Sequence, residues 1–174
     1  MPRNIEIKAH IASVEALLPI AAALADQGPT EILQDDTFFT CANGRLKLRM
    51  FSQSEGELIF YRRADQHGPK ESFFLRSPTS TPDTLRESLS LAYGQAGRVQ
   101  KQRALFMAGR TRIHLDRVTG LGDFLELEVM LQDGESSEIG VREAHALMAR
   151  LGVEPSQLVA DAYVDLLARR AANH

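Results

Sequence analysis

Ionisable residues recur at every second position through most of the extended segments of this chain. In Arg45-Leu46-Lys47-Leu48-Arg49 the cations hold one parity and the leucines the other. Side chains on a β-strand point to alternate faces, so a segment with this pattern has one charged face and one apolar face. The pattern repeats. Asn4, Glu6, Lys8 and His10 alternate with Ile5, Ile7 and Ala9. Glu57, Tyr61 and Arg63 share a parity, as do Lys70 with Ser72, Lys101 with Arg103, and Arg112 with His114 and Asp116. Glu126 and Glu128 lie opposite Leu125, Leu127 and Val129. A chain built this way must either wet one face of its sheet or enclose that face around something polar.

The punctuation between these segments supports strands and a few helices. Ser13 predicts a helix cap, with Val14, Leu17, Leu18, Ala21 and Leu24 as the apolar stripe of a helix to about Ala25. Strands are expected over Glu31–Thr40, Arg45–Phe51, Glu57–Arg63, Lys70–Arg76, Arg98–Phe106, Arg110–Arg117 and Asp123–Gln132, with Asn43-Gly44 as a hairpin turn. Thr81-Pro82 opens a helix that Gly94 closes. Ala144, Leu147, Met148 and Leu151 stripe a helix stopped by Gly152, and Leu158, Val159, Ala162, Tyr163 and Leu166 stripe a last one. The total is about eight strands and four helices, mostly antiparallel, an α+β fold in one domain spanning residues 1–174.

Two readings of the charged rows are open. In the first, an antiparallel sheet shows water its charged face and packs its leucines inward. The second closes the sheet with the charged faces inside. Buried ions are costly without partners, so that interior needs water or a ligand. The charges are dense and sorted by type, with cations on the middle strands and carboxylates on the first and last. Arg and Lys suit phosphate oxygens. Clustered carboxylates suit Mg²⁺ or Mn²⁺, which bridge readily to phosphates. Both facing one cavity is what a metal–polyphosphate ligand requires.

Composition removes other classes. Lys plus Arg is 20 against 23 Asp plus Glu, a net charge of −3, which is no footprint for wrapping nucleic acid. The single cysteine, Cys41, excludes an internal disulfide framework and a four-thiolate zinc site. No apolar run approaches the ~18 residues of a membrane-spanning helix, and MPRNIEIKAH has no signal-peptide core, so the expectation is a soluble cytoplasmic protein without membrane partners.

The order of NIEIK, QDDTFF, GRLKLR, ELIFYRR, VQKQR, RIHLDRVTGLGDFLELEV and AYVDLL resembles the CYTH family, the triphosphate tunnel metalloenzymes, which include class IV adenylyl cyclases and thiamine triphosphatases. The resemblance implies a closed eight-stranded antiparallel β-barrel, a tunnel with flanking helices. It implies a triphosphate substrate, whether ATP, thiamine triphosphate or tripolyphosphate, and Mg²⁺ or Mn²⁺ as cofactor. Glu6 and Lys8 match the second Glu and the Lys of the family's E-x-E-x-K signature, and Asn4 stands at the first Glu. An amide can ligate a metal but brings no charge. The resemblance gives Glu6, Asp116, Glu126 and Glu128 as metal ligands, and Lys8, Glu126 and Glu128 as catalytic residues. It gives Arg45, Lys47, Arg63, Lys70, Lys101, Arg103 and Arg112 as phosphate-gripping cations.

The activity expected from it is closest to that of a class IV adenylyl cyclase, making cAMP and pyrophosphate from ATP. The alternatives are hydrolysis of thiamine triphosphate or tripolyphosphate, and non-catalytic binding of polyphosphate or nucleotide. An open sheet serving as an interaction scaffold is a further, duller alternative. Among single residues, Asp165 can pair with Arg169 one helical turn on. Tyr163 reads as core and His114 as structural. Only one of Asp35 and Asp36 can face inward. A closed barrel has no free edge, so a homodimer would have to use helices or loops.

Overall fold

The first strand, Arg3–His10, hydrogen-bonds to both Lys70–Thr79 and Gly122–Leu131, and this double pairing closes the sheet on itself. The computed structural model describes residues 2–63, 66 and 68–173. Its elements are β1 (Arg3–His10), α1 (Val14–Leu24), β2 (Gln27–Phe39), β3 (Arg45–Met50), β4 (Gly56–Arg63), β5 (Lys70–Thr79), α2 (Pro82–Tyr93), β6 (Gln95–Ala108), β7 (Thr111–Val118), β8 (Gly122–Leu131), α3 (Ser137–Arg150) and α4 (Tyr163–Ala172), with a 3₁₀ turn at Pro155–Gln157. The strand order around the closed barrel is β1-β5-β4-β3-β2-β6-β7-β8. Every neighbouring pair is antiparallel.

Closure decides between the two sequence readings: the charged faces are inside. The physical reason lies on the outer face. Ile5, Ile7, Ile113, Leu115, Leu125 and Leu127 point outward from β1, β7 and β8 and are buried beneath α1 and α3, against Val14, Leu17, Ala144, Leu147 and Met148. Each such side chain contributes roughly 1.5–3 kcal/mol by leaving water. Helix α3 comes close enough to β1 that a Cβ on Gly140 would sit 2.6 Å from Ile5 Cγ1. The main hydrophobic core therefore lies between barrel and helices, which frees the bore for polar groups.

Register then sets those groups against one another. Residues directly opposite on antiparallel strands share a face. Glu6 is opposite Glu128 and Lys8 opposite Glu126 across β1–β8. His114 is opposite Glu126 and Arg112 opposite Glu128 across β7–β8. Asp36 is opposite Arg49 across β2–β3.

Several elements depart from the sequence expectation. Strands β2 and β6 are longer than their alternation suggested, pairing from Gln27 with Met107 to Phe39 with Gln95. Thr81 occupies the N-cap of α2 without a side-chain hydrogen bond, and Pro82 takes the first turn. The last helix begins only at Tyr163. Before it, Leu158 bridges to Ala9, and the Val159 N–H donates to the Lys8 carbonyl at 2.9 Å. The Ala160 and Asp161 carbonyls accept from Lys70 Nζ at 2.6 Å and Lys8 Nζ at 2.9 Å. Carbonyls turned toward these ammonium groups are not aligned to start a helix. The expected Asp165–Arg169 pair is also absent: Asp165 accepts from Arg45 at 2.5 Å, and Arg169 pairs with Asp161. Among the described residues, no helix is long and apolar enough to cross a membrane.

Candidate active site

The inward rows enclose a cavity of about 390 Å³. One end is closed by Ala162, Tyr163 and Val164, which pack on Phe38, Val99 and Phe124. Glu6, Lys8, Lys47, Arg63, Lys101, Arg103, Arg112, Glu126 and Glu128 all line it, as nine of the residues expected from the sequence.

A cationic group gathers around Asp36. Arg49 donates to both of its oxygens at 2.8 Å, and Lys47 Nζ and Lys101 Nζ each lie 3.2 Å from Oδ2. Burial opposes the charge on Asp36, but Arg49, Lys101 and Lys47 outweigh it and hold the carboxyl well below its ordinary range. Burial, reinforced by Arg49, pushes Lys47 down to about 7 against the pull of Asp36. Three basic side chains share one carboxylate here.

A second group surrounds Arg103. It forks onto Asp116 at 2.7 and 2.8 Å, and Tyr163 Oη donates to Asp116 Oδ2 at 2.9 Å. The same guanidinium lies 3.6 Å from Glu126. Lys8 Nζ stands 4.2 Å from the centre of the Tyr163 ring. Burial lowers the Lys8 ammonium to about 7, against the pull of Glu126.

Carboxylates face this group from β1 and β8. Ligand atoms of His114, Glu126 and Glu128 lie within 4.8 Å of one another. His114 Nδ1 is 3.1 Å from Glu128 Oε1, outside hydrogen-bond geometry, and burial followed by the Arg103 charge keeps the imidazole neutral. Burial opposes the charge on Glu126, but Lys8 and Arg103 keep it ionised; burial and the charge of Glu6 raise Glu128. Asn4 Nδ2 donates to Glu128 Oε2 at 2.8 Å, and Glu6 pairs with Arg63 at 3.2 Å. The Asn4 Oδ1 and His114 Nδ1 atoms are buried without partners. Two carboxylates flanked by orphaned oxygen and nitrogen acceptors make a donor set that fits a divalent cation.

Three expected residues lie off the cavity lining. Arg45 sits in a shallower cleft with Asn43 and Tyr61, bound to Asp165. Lys70 is buried, with its Nζ on the Ala160 carbonyl. Asp116 is fully buried beneath Arg103. Conversely, Gln34, Asp36, Arg49, His114 and Tyr163 line the cavity or hold residues that do, although the sequence reading gave them no site role. Arg49 shares the parity of Lys47, which was the available signal. His114 shares the parity of Arg112, but only the register places it beside the carboxylates.

A closed barrel with cations and carboxylates facing one bore is a charged tunnel. This chain belongs to the CYTH domain family, whose model matches residues 2–163. It is 24% identical over 170 residues to the adenylate cyclase CyaB of Aeromonas hydrophila, covering 92% of this chain and 86% of that protein. Its fold is similar to that of the PH1012 protein of Pyrococcus horikoshii, with a TM-score of 0.84 at 21% identity, covering 94% of this chain and 98% of the other. It is also similar to HpAC1 of Hippeastrum, a candidate adenylyl cyclase with a dominant triphosphatase activity: TM-score 0.67 at 16% identity, covering 99% and 96% of the two chains.

Proposed function

We propose that this chain is a divalent-metal-dependent enzyme that binds a triphosphate in its barrel and acts on ATP as an adenylyl cyclase, releasing cAMP and pyrophosphate. The observation that carries the reading is the meeting of the Asp36-centred cations and the Glu126–Glu128 carboxylates in one cavity of about 390 Å³. Lys47 and Arg49 line it from β3 and Lys101 and Arg103 from β6, on either side of β2, where a phosphate chain can lie between them. Arg63 and Arg112 add charge toward β1 and β8. Holding the chain in line with its attacker supplies much of the rate by positioning alone.

Glu6, Glu126 and Glu128 are assigned to the cation, Mg²⁺ or Mn²⁺. Bound there, it would neutralise charge developing on the reacting phosphorus. Asp116, expected from the sequence as a ligand, has both oxygens engaged by Arg103 and Tyr163 and is assigned to fixing Arg103. Lys8, lowered to about 7, can take the proton of the attacking hydroxyl near neutral pH. Arg45 and Lys70 are assigned to holding the Ala160–Asp165 segment over the tunnel end rather than to the phosphates.

The second reading is triphosphate hydrolysis, favoured by the dominant triphosphatase activity named for HpAC1. There water replaces the ribose 3′-hydroxyl as attacker. Incubation with ATP, thiamine triphosphate and tripolyphosphate, each with Mg²⁺ or Mn²⁺, separates the two by product. Formation of cAMP supports the cyclase, and orthophosphate supports the hydrolase. Tight binding without turnover would leave a non-catalytic binder, which the neutral Asn4 at an acidic family position suits.

A further inference from the structure

The two ends of the cavity differ. The end beneath α4 is packed shut around Tyr163 and carries Lys8 and Lys101. Toward the other end, the half-buried apolar side chains Ile32 of β2, Phe74 of β5, Leu105 and Met107 of β6, and Phe51 just past β3 join the lining, beside Arg76 and Arg112. Met107 lies six positions beyond Lys101 along β6, about 20 Å at ~3.3 Å per residue. The five apolar side chains offer phosphate oxygens no partner.

Gln34 sits where the two regions meet. It lies two residues before Asp36 on β2 and opposite Lys101 on β6. Its side chain lines the cavity at 5% exposure, and its Oε1 is buried with no hydrogen-bond partner. A buried amide oxygen is expensive to leave unpaired, so it is a place reserved for a donor. A carboxamide accepts through Oε1 and donates through Nε2. That pair matches an amino group beside a ring nitrogen, as when Gln reads adenine.

Resting on the triphosphate reading above, we propose that Gln34 and the apolar side chains beyond it form a subsite for the heterocycle of an organic triphosphate, recognised by its amino group and adjacent ring nitrogen. Adenine nucleotides and thiamine triphosphate both carry that edge. Inorganic tripolyphosphate does not use the subsite.

The test is metal-free titration calorimetry with ATP, the triphosphate of purine riboside (which lacks the amino group), thiamine triphosphate and tripolyphosphate. Wild type is expected to bind ATP or thiamine triphosphate about tenfold or more tighter than purine riboside triphosphate. Whichever of the two is tighter identifies the source of the heterocycle. Gln34→Leu is expected to erase that preference while leaving tripolyphosphate affinity unchanged. Phe51→Ala, at the half-buried rim, is expected to weaken the organic ligands and spare tripolyphosphate, which covers the case of a misfolded Gln34→Leu. Equal affinity of wild type for ATP, thiamine triphosphate and purine riboside triphosphate overturns the subsite but leaves the tunnel reading standing, provided tripolyphosphate binds. Failure of every triphosphate to bind overturns both.

Discussion

Replacing Asp36 with Asn removes a fully buried carboxylate that three cations share. The substitution is nearly isosteric, so packing survives and the charge alone changes. Arg49, Lys47 and Lys101 are then left facing one another, all at most 14% exposed. Breaking a buried ion pair by deleting one partner costs roughly 3–5 kcal/mol. In a chain of this size each kcal/mol moves the melting temperature by roughly 2–4 °C, so Asp36→Asn should melt about 6–20 °C below wild type. Tripolyphosphate should reverse part of the loss, because its oxygens replace the missing counter-charge. Differential scanning fluorimetry without metal, with and without tripolyphosphate, reads both effects. The ligand-induced rise should be larger in the variant than in wild type. A variant melting within about 2 °C of wild type, or one whose ligand shift is no larger, would refute the reasoning. The pH dependence has a fixed sign. The folded carboxyl titrates below its unfolded value of ~3.9, so its stabilisation is complete above that pH and is lost as pH falls through the folded value.

Glu126→Gln should abolish metal-dependent turnover while circular dichroism stays that of the wild type; full activity would remove Glu126 from the metal site. Lys8 and Lys47 both titrate near 7 in the free protein, so at pH 8 they are mostly neutral, and a bound anion raises them. Metal-free tripolyphosphate binding at pH 8 should therefore take up protons, visible as a difference in calorimetric enthalpy between HEPES and Tris buffers; no buffer dependence would contradict the assignment. Tyr163→Phe removes one hydrogen bond onto Asp116 and should cost about 1 kcal/mol, a fall of roughly 2–4 °C in the melting temperature.

Much of this architecture was legible in the chain. Period-two alternation is a local property, so Lys47 with Arg49, Lys101 with Arg103, and Glu126 with Glu128 had to share faces wherever their strands lay. Turn and cap residues placed most element boundaries for the same reason. The ordered motifs, from NIEIK to AYVDLL, carried the family and with it the closed barrel.

What the chain left open was non-local. Nothing in QDDTFF says whether Asp35 or Asp36 faces inward; the β2–β3 register puts Asp36 against Arg49, and Asp35 goes outward to Arg98. Arg45 and Lys70 carry the right charge on the right kind of strand, yet the Ala160–Asp165 segment claims both. His114 became a candidate ligand only because β7 lies beside β8 in a register that sets it across from Glu126. Alternation fixes which side chains travel together, because it follows from the geometry of a single strand. Which of them meet depends on pairings between strands far apart in the chain, and those were decided by burying the outer isoleucines and leucines beneath α1 and α3.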